Sequence, residues 1–258
     1  MPQTGATTAM MRRAADVVRD RIVQGYYAPD QRLPAAELAA ELDISRTPVR
    51  EALLVLEFEG LVVNSLNRGC RVRPLTAAGI SQMYDLRAML ESFAARKAAE
   101  SIHQVPPDLM DHLEARIADL DALLQANDLW EPAHIKKMMA ANRDIHDAIV
   151  RASGYETLPS LISQTIDRGV IFRAYDLFGQ EQLVRSNIFH RMVAEVIIAG
   201  DGDRAASLMA EHVFQSRDVV LGRIEALGGD VMAVFGPRDP SADARRAGGP
   251  DPGMAAAG

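Results

Sequence analysis

The stretch Ser45-Arg46-Thr47-Pro48-Val49-Arg50-Glu51-Ala52-Leu53 decides the fold. Ser45 is a residue type suited to a helix N-cap, and Pro48 is tolerated in the first turn, where backbone N–H groups lack intrahelical partners. Val49, Ala52, Leu53 and Leu56 then recur at helical spacing until Gly60 stops the run. Arg46 and Arg50 share the opposite face, four residues apart, with Thr47 beside them. Two arginines and a hydroxyl at the start of a helix suit reading of a DNA major groove. Arginine bonds bidentately to guanine O6 and N7 or to phosphate, while the hydroxyl and the helix N-terminus favour phosphate oxygens. An ordinary solvated face with an Arg50–Glu51 surface pair would use the same residues, so the flanking segments must decide.

On the N-terminal side, Ala14, Val17, Val18 and Ile22 mark a helix over Met11–Gln24, with residues 1–10 expected to fray. A turn with Pro29-Asp30 leads to a short helix from Pro34 to Leu42, and Asp43-Ile44 makes a tight turn into the quoted segment. On the C-terminal side, Leu61–Val63 and Cys70–Val72 are β-prone, and Asn64 to Gly69 suits a hairpin tip. Three helices plus a small β wing is the winged helix-turn-helix plan. It occupies residues 1–75, with Pro74-Leu75-Thr76 as linker.

From Ala78 to about Leu227 the pattern is helical throughout. Breaks at Val105–Pro107, Asn127–Pro132, Ser153-Gly154, Phe178-Gly179 and Gly200–Gly202 divide it into about six helices without a strand. The expected fold class is therefore mostly α, a winged helix-turn-helix followed by an all-α antiparallel bundle over residues 76–230. Residues 236–258 are rich in Pro, Gly, Ala, Arg and Asp and are expected to be a disordered tail.

Charge divides the same way. The chain of 258 residues carries a net −7, yet residues 1–75 hold ten arginines against nine carboxylates, a net of +1, leaving −8 for the remainder. The acidic remainder does not suit nucleic acid, whereas arginines clustered on one face of the first part do. No run of about 18 apolar residues occurs, so no membrane partner is expected. Met1 to Arg13 lacks the apolar core of a secretory signal, and Cys70 is the sole cysteine, so a cytoplasmic location is expected.

All six histidines lie beyond residue 100. His103, His112 and His134 read as surface groups. Asn142 and His146, four apart, stack on one helical face. His190 lies ten residues before Gly200 and His212 ten residues after Gly202. If Gly200–Gly202 turns an αα-hairpin, both imidazoles stand about 15 Å from it and level with each other. Asn142, His146, His190 and His212 then form a candidate site for a divalent metal such as zinc, nickel or manganese. Three polar core histidines are the alternative.

Residues 22–74, through Arg32-Leu33, Glu37-Leu38-Ala39, the quoted stretch, Glu59-Gly60-Leu61-Val62 and Asn67-Arg68-Gly69, resemble the GntR family of winged-helix regulators. Residues 80–222 resemble the FCD ligand-binding domain of its FadR-like branch, through Leu86–Glu91, Asn142–His146, His190 and Ala199-Gly200-Asp201 to His212. The resemblance implies a dimeric transcription regulator, not an enzyme, on an inverted-repeat operator. Arg46, Thr47 and Arg50, with Arg32 and Ser45, would contact DNA, and the wing tip Arg68-Gly69 would enter the minor groove. It also implies an Asp or Asn plus three-histidine metal set and a small carboxylate or sugar-acid effector at or near the metal. Asn142 is neutral where many members carry a carboxylate. Ala36 replaces a frequent arginine, and Asp30-Gln31 replaces the usual Pro-Gly. Arg87 and Arg173 are the candidate effector-binding arginines, although Arg87 also reads as an i,i+4 surface partner of Glu91. A metalloregulator sensing the metal itself is the rival, and a metal-dependent hydrolase a weaker one, since no His-Glu-x-x-His motif occurs.

Overall fold

In the computed structural model, which describes residues 3–65, 69–126, 129–165 and 168–237, the first core forms around the quoted helix. Helix α1 (Gln3–Val23) precedes α2 (Ala35–Glu41) and α3 (Arg46–Phe58), and β1 (Val62–Ser65) pairs antiparallel with β2 (Gly69–Val72). The apolar positions of α3 are buried with Val18, Ile22, Leu33, Leu38 and Val72. α1 lies across α3 through Ala14, Ala15 and Ala52, whose small side chains allow close approach. At the far end of α3, Arg19 makes a bidentate pair with Glu59, at 2.8 and 2.7 Å. Helix α1 begins at Gln3 rather than near Met11, correcting the expectation of a frayed start. Ala6, Ala9 and Met10 carry good helix propensity, and the helix extends without burial at Thr8–Met10.

Asp30 and Asp43 take left-handed backbone conformations, with φ 62° and 52°. Aspartate tolerates that region, so replacing Pro-Gly by Asp30-Gln31 leaves the turn intact. Arg32 forms an isolated bridge with Arg71, which ties the segment before α2 to the wing. Arg68, expected at the wing tip, lies outside the described residues, and the tail beyond 237 does too.

Thr76 caps the next helix by accepting from the Gly79 amide. The larger core is built from α4 (Ala77–Glu100), α5 (Pro107–Leu124), α6 (Pro132–Ala152), α7 (Leu158–Thr165), α8 (Arg168–Ala174), α9 (Gln180–Ile198), α10 (Gly202–Ala226) and α11 (Val231–Phe235). Helix α4 is central. Its buried Ala88, Ala95, Ala98 and Ala99 let α10 pack along it, and α6, α7 and α9 contact its other sides. Six helices were expected over 78–227. The segment anticipated as one helix from about 155 to 177 is instead α7, α8 and a short 3₁₀ turn at Tyr175–Leu177. Beyond it, α11 buries Phe235 in the bundle core, a helix the sequence pattern did not signal.

Candidate DNA-reading face and candidate metal centre

At the start of α3 the residues expected to meet DNA, Ser45, Arg46, Thr47 and Arg50, are exposed, and so is Arg32 on the bridge to the wing. Ser45 occupies the N-cap position with extended backbone, but its side chain makes no capping bond. That leaves the hydroxyl available to a phosphate. Among the described residues neither Arg46 nor Arg50 forms a salt bridge, so the Arg50–Glu51 surface pair is not realised. Gly69 has φ 72°, a left-handed conformation that glycine supplies at low cost where the wing strand begins.

The second site lies in the bundle. Gly200, at φ 74°, ends α9, and Asp201 caps α10 by accepting from the Arg204 amide. This tight turn brings His190 and His212 level on facing helices, with their Nε2 atoms 3.2 Å apart. α6 adds His146, whose Nε2 lies 3.3 Å from that of His190 and 3.2 Å from that of His212. All three are buried. Burial, reinforced by neighbouring cationic and imidazole groups, holds His190 and His212 well below the ordinary histidine pKa.

Asn142 lines the same cavity as His146 and His212, a space of about 40 Å³ bounded also by Tyr84, Arg87 and Tyr175. Among the described residues the buried Tyr84 hydroxyl has no hydrogen-bond partner, and burial pushes its pKa up to about 12, so it stays a neutral donor. Exposed Arg185 also lines the cavity.

Arg87 is not a surface residue. Its Nε donates to Glu91 Oε1 at 2.5 Å within the core, and Glu91 Oε2 lies 2.5 Å from His146 Nδ1. Burial alone would raise the Glu91 pKa, but Arg87 and His146 hold the carboxyl well below its usual range. Asn187, one turn before His190, places Oδ1 3.2 Å from His190 Nδ1. Sequence reasoning gave neither Glu91 nor Asn187 a role at the site. The signals were their offsets, four residues from Arg87 and three from His190.

Two expectations are corrected. Arg173 is not at the cavity of the histidines. It donates to the Val234 carbonyl, stacks on Phe235 and lies against Gly25 at the end of α1, where an added Cβ would meet its Nη1 at 3.3 Å. His134 is buried rather than a surface group, with Nε2 2.8 Å from the Leu123 carbonyl oxygen. His103 is exposed and His112 half-buried.

The donor set fits a divalent cation. Nitrogens bound about 2.0–2.1 Å from a tetrahedral zinc lie about 3.3–3.4 Å apart. The observed 3.2–3.3 Å separations are close to that spacing. Three converging Nε2 atoms cannot all be satisfied by hydrogen bonds to one another, since each neutral ring has one N–H.

Comparison with known proteins gives two family matches. Residues 11–72 match bacterial regulatory proteins of the gntR family, and residues 82–215 match the FCD domain. The Nta operon transcriptional regulator of Aminobacter aminovorans is 26% identical over 213 residues, 83% of this chain and 94% of that one. The gluconate operon transcriptional repressor of Bacillus subtilis is 38% identical over 104 residues, 40% and 42% of the two chains. The solved structure of E. coli McbR/YncC superposes with a TM-score of 0.65 at 21% identity, over 84% of this chain and 98% of that one, a likeness of fold.

Proposed function

The chain belongs to the GntR family of bacterial regulators and carries an FCD domain, and from that premise we propose that it is a cytoplasmic, homodimeric repressor released by a small carboxylate or sugar acid. It is a DNA-binding transcription regulator; its matched families and relatives are regulators rather than enzymes. Residues 1–75 read an inverted repeat through Arg32, Ser45, Arg46, Thr47, Arg50, Arg68 and Gly69, and residues 76–230 sense the effector.

The observation that carries this reading is the buried His146–His190–His212 triangle beside a small polar cavity. His146, His190 and His212, with Asn142, hold zinc, nickel or manganese, which when bound supplies a positive centre for an anionic ligand. Arg87, paired through Nε with Glu91, and exposed Arg185 both line the cavity, and Tyr84 adds an O–H donor with no partner among the described residues. Carboxylates suit a metal cation with an arginine and a neutral donor beside it. A relative named for a gluconate operon supports the sugar-acid end of that class. At about 40 Å³ the cavity favours a compact ligand.

Dimer formation is supported by an apolar face on α4. Leu86 is 45% exposed, Met89 61% and Phe93 38%, at spacing i, i+3 and i+7, and Leu161 on neighbouring α7 is 48% exposed. A contiguous apolar strip of this kind is costly in water and suits a second copy related by a twofold axis. The test is a thermal-shift screen of sugar acids, hydroxy acids and dicarboxylates on zinc-loaded protein, followed by operator binding. A hit present at 100 times its Kd adds about 2.7 kcal/mol of stability and weakens operator binding. Stabilisation by neutral or cationic compounds only overturns the carboxylate assignment. DNA affinity that follows metal concentration with no organic ligand favours a metalloregulator instead.

A further inference from the structure

The Nδ1 contacts of the histidines determine where their protons sit. Glu91 is flanked by the Arg87 guanidinium on one oxygen and by His146 Nδ1 on the other, each at 2.5 Å. A carboxylate beside a guanidinium only accepts, so His146 must carry its proton on Nδ1 and present a bare lone pair at Nε2. For His190 the argument runs through an amide. Asn187 Nδ2 donates to the Ile117 carbonyl at 3.1 Å and to Asp121 Oδ1 at 2.6 Å, which fixes its oxygen toward His190. His190 Nδ1 therefore donates as well, and its Nε2 is also bare. At most one proton, on His212, then lies inside the triangle.

Resting on the metal-site reading above, we propose that Glu91 and Asn187 are positioning residues. They hold His146 and His190 in the tautomer that aims two lone pairs at one cation. The two devices come from different helices and are independent: α4 orients the α6 ligand, while the turn before His190, braced on α5, orients the α9 ligand. Partners of this kind fix ring orientation and raise ligand basicity, and losing one costs about 10–100-fold in metal affinity.

The experiment is zinc competition against a chromophoric chelator on the full chain at pH 8, together with ¹⁵N NMR of the imidazoles in metal-free wild type. Wild type is expected to bind one zinc per chain. Glu91→Gln should bind the same number 10–100-fold more weakly. Arg87→Met should bind at least as tightly as wild type, because it removes a cation and leaves the Glu91 charge to His146. A merely structural role would instead weaken zinc binding in both variants together. The NMR spectrum, which needs no variant to fold, should show the Nδ1–H tautomer for His146 and His190. An Nε2–H tautomer at either ring, or unchanged zinc affinity in Glu91→Gln, overturns the proposal while leaving the metal site standing. No zinc bound by wild type overturns the metal site itself.

Discussion

Removing the metal should make the bundle sensitive to mild acid, and the size of the effect follows from two buried rings. His190 and His212 are 0% and 3% exposed. Burial comes first among the causes that depress their pKa values. His146 and Arg87 add to it at both rings, and Glu91 opposes it at His212. In the unfolded chain each titrates near the ordinary value of 6.5. Below that pH the unfolded state binds more protons than the folded state, so stability is full above about 6.5 and falls as pH drops. Each ring contributes a slope approaching about 1.4 kcal/mol per pH unit. Between pH 7.5 and 5.5 only the lower unit lies in the titrating range, so the pair should cost at most about 3 kcal/mol. That is a large share of a typical 5–15 kcal/mol total. Glu91 acts in a lower window, because its stabilising charge persists until the pH falls below the unfolded value of 4.5. The assay is urea unfolding by circular dichroism in the presence of chelator at pH 7.5, 6.5 and 5.5. His190→Asn removes one of the two titrations, so its pH-dependent loss should be about half that of wild type. Equal pH dependence in the two proteins would refute the claim that these rings are held neutral by burial.

Three further outcomes are expected. Arg50→Ala should cost on the order of 1–3 kcal/mol in specific operator binding by gel shift, and unchanged affinity would remove Arg50 from the reading face. Met89→Glu should convert a dimer to a monomer in light scattering by placing a charge in the exposed α4 strip, with the helical content retained. Asn142→Asp should tighten zinc binding about tenfold or more, equivalent to about 1.4 kcal/mol, by adding a negative ligand at the cavity. A weaker site in that variant would show that Asn142 does not face the metal.

The parts legible in the sequence are those governed by regular helix geometry. Ala52, Leu53 and Leu56 announced the buried side of α3. The equal offsets of His190 and His212 from the Gly200–Gly202 turn placed them opposite each other because the rise per residue is constant. What escaped depended on how helices pack. Glu91 meets His146 across 55 residues of chain, and no local spacing connects α4 to α6. Arg173 was a candidate effector arginine beside the implied metal, but the short helix α8 turns it toward α1 and α11, a direction set by tertiary contacts. His134 looked solvated because its satisfying partner is a backbone carbonyl on α5, to which side-chain patterns are blind. The same blindness hid Asn187, whose orientation depends on Ile117 and Asp121.

The central claim is that three imidazoles converge to hold a divalent ion. Elemental analysis of protein purified without a histidine tag tests it most directly. The account predicts about one zinc, nickel or manganese per chain. The metal should be lost in His190→Ala and His212→Ala and retained in His103→Ala. Less than about 0.2 metal per chain, even after soaking with all three ions, would contradict it and leave these histidines as polar core residues.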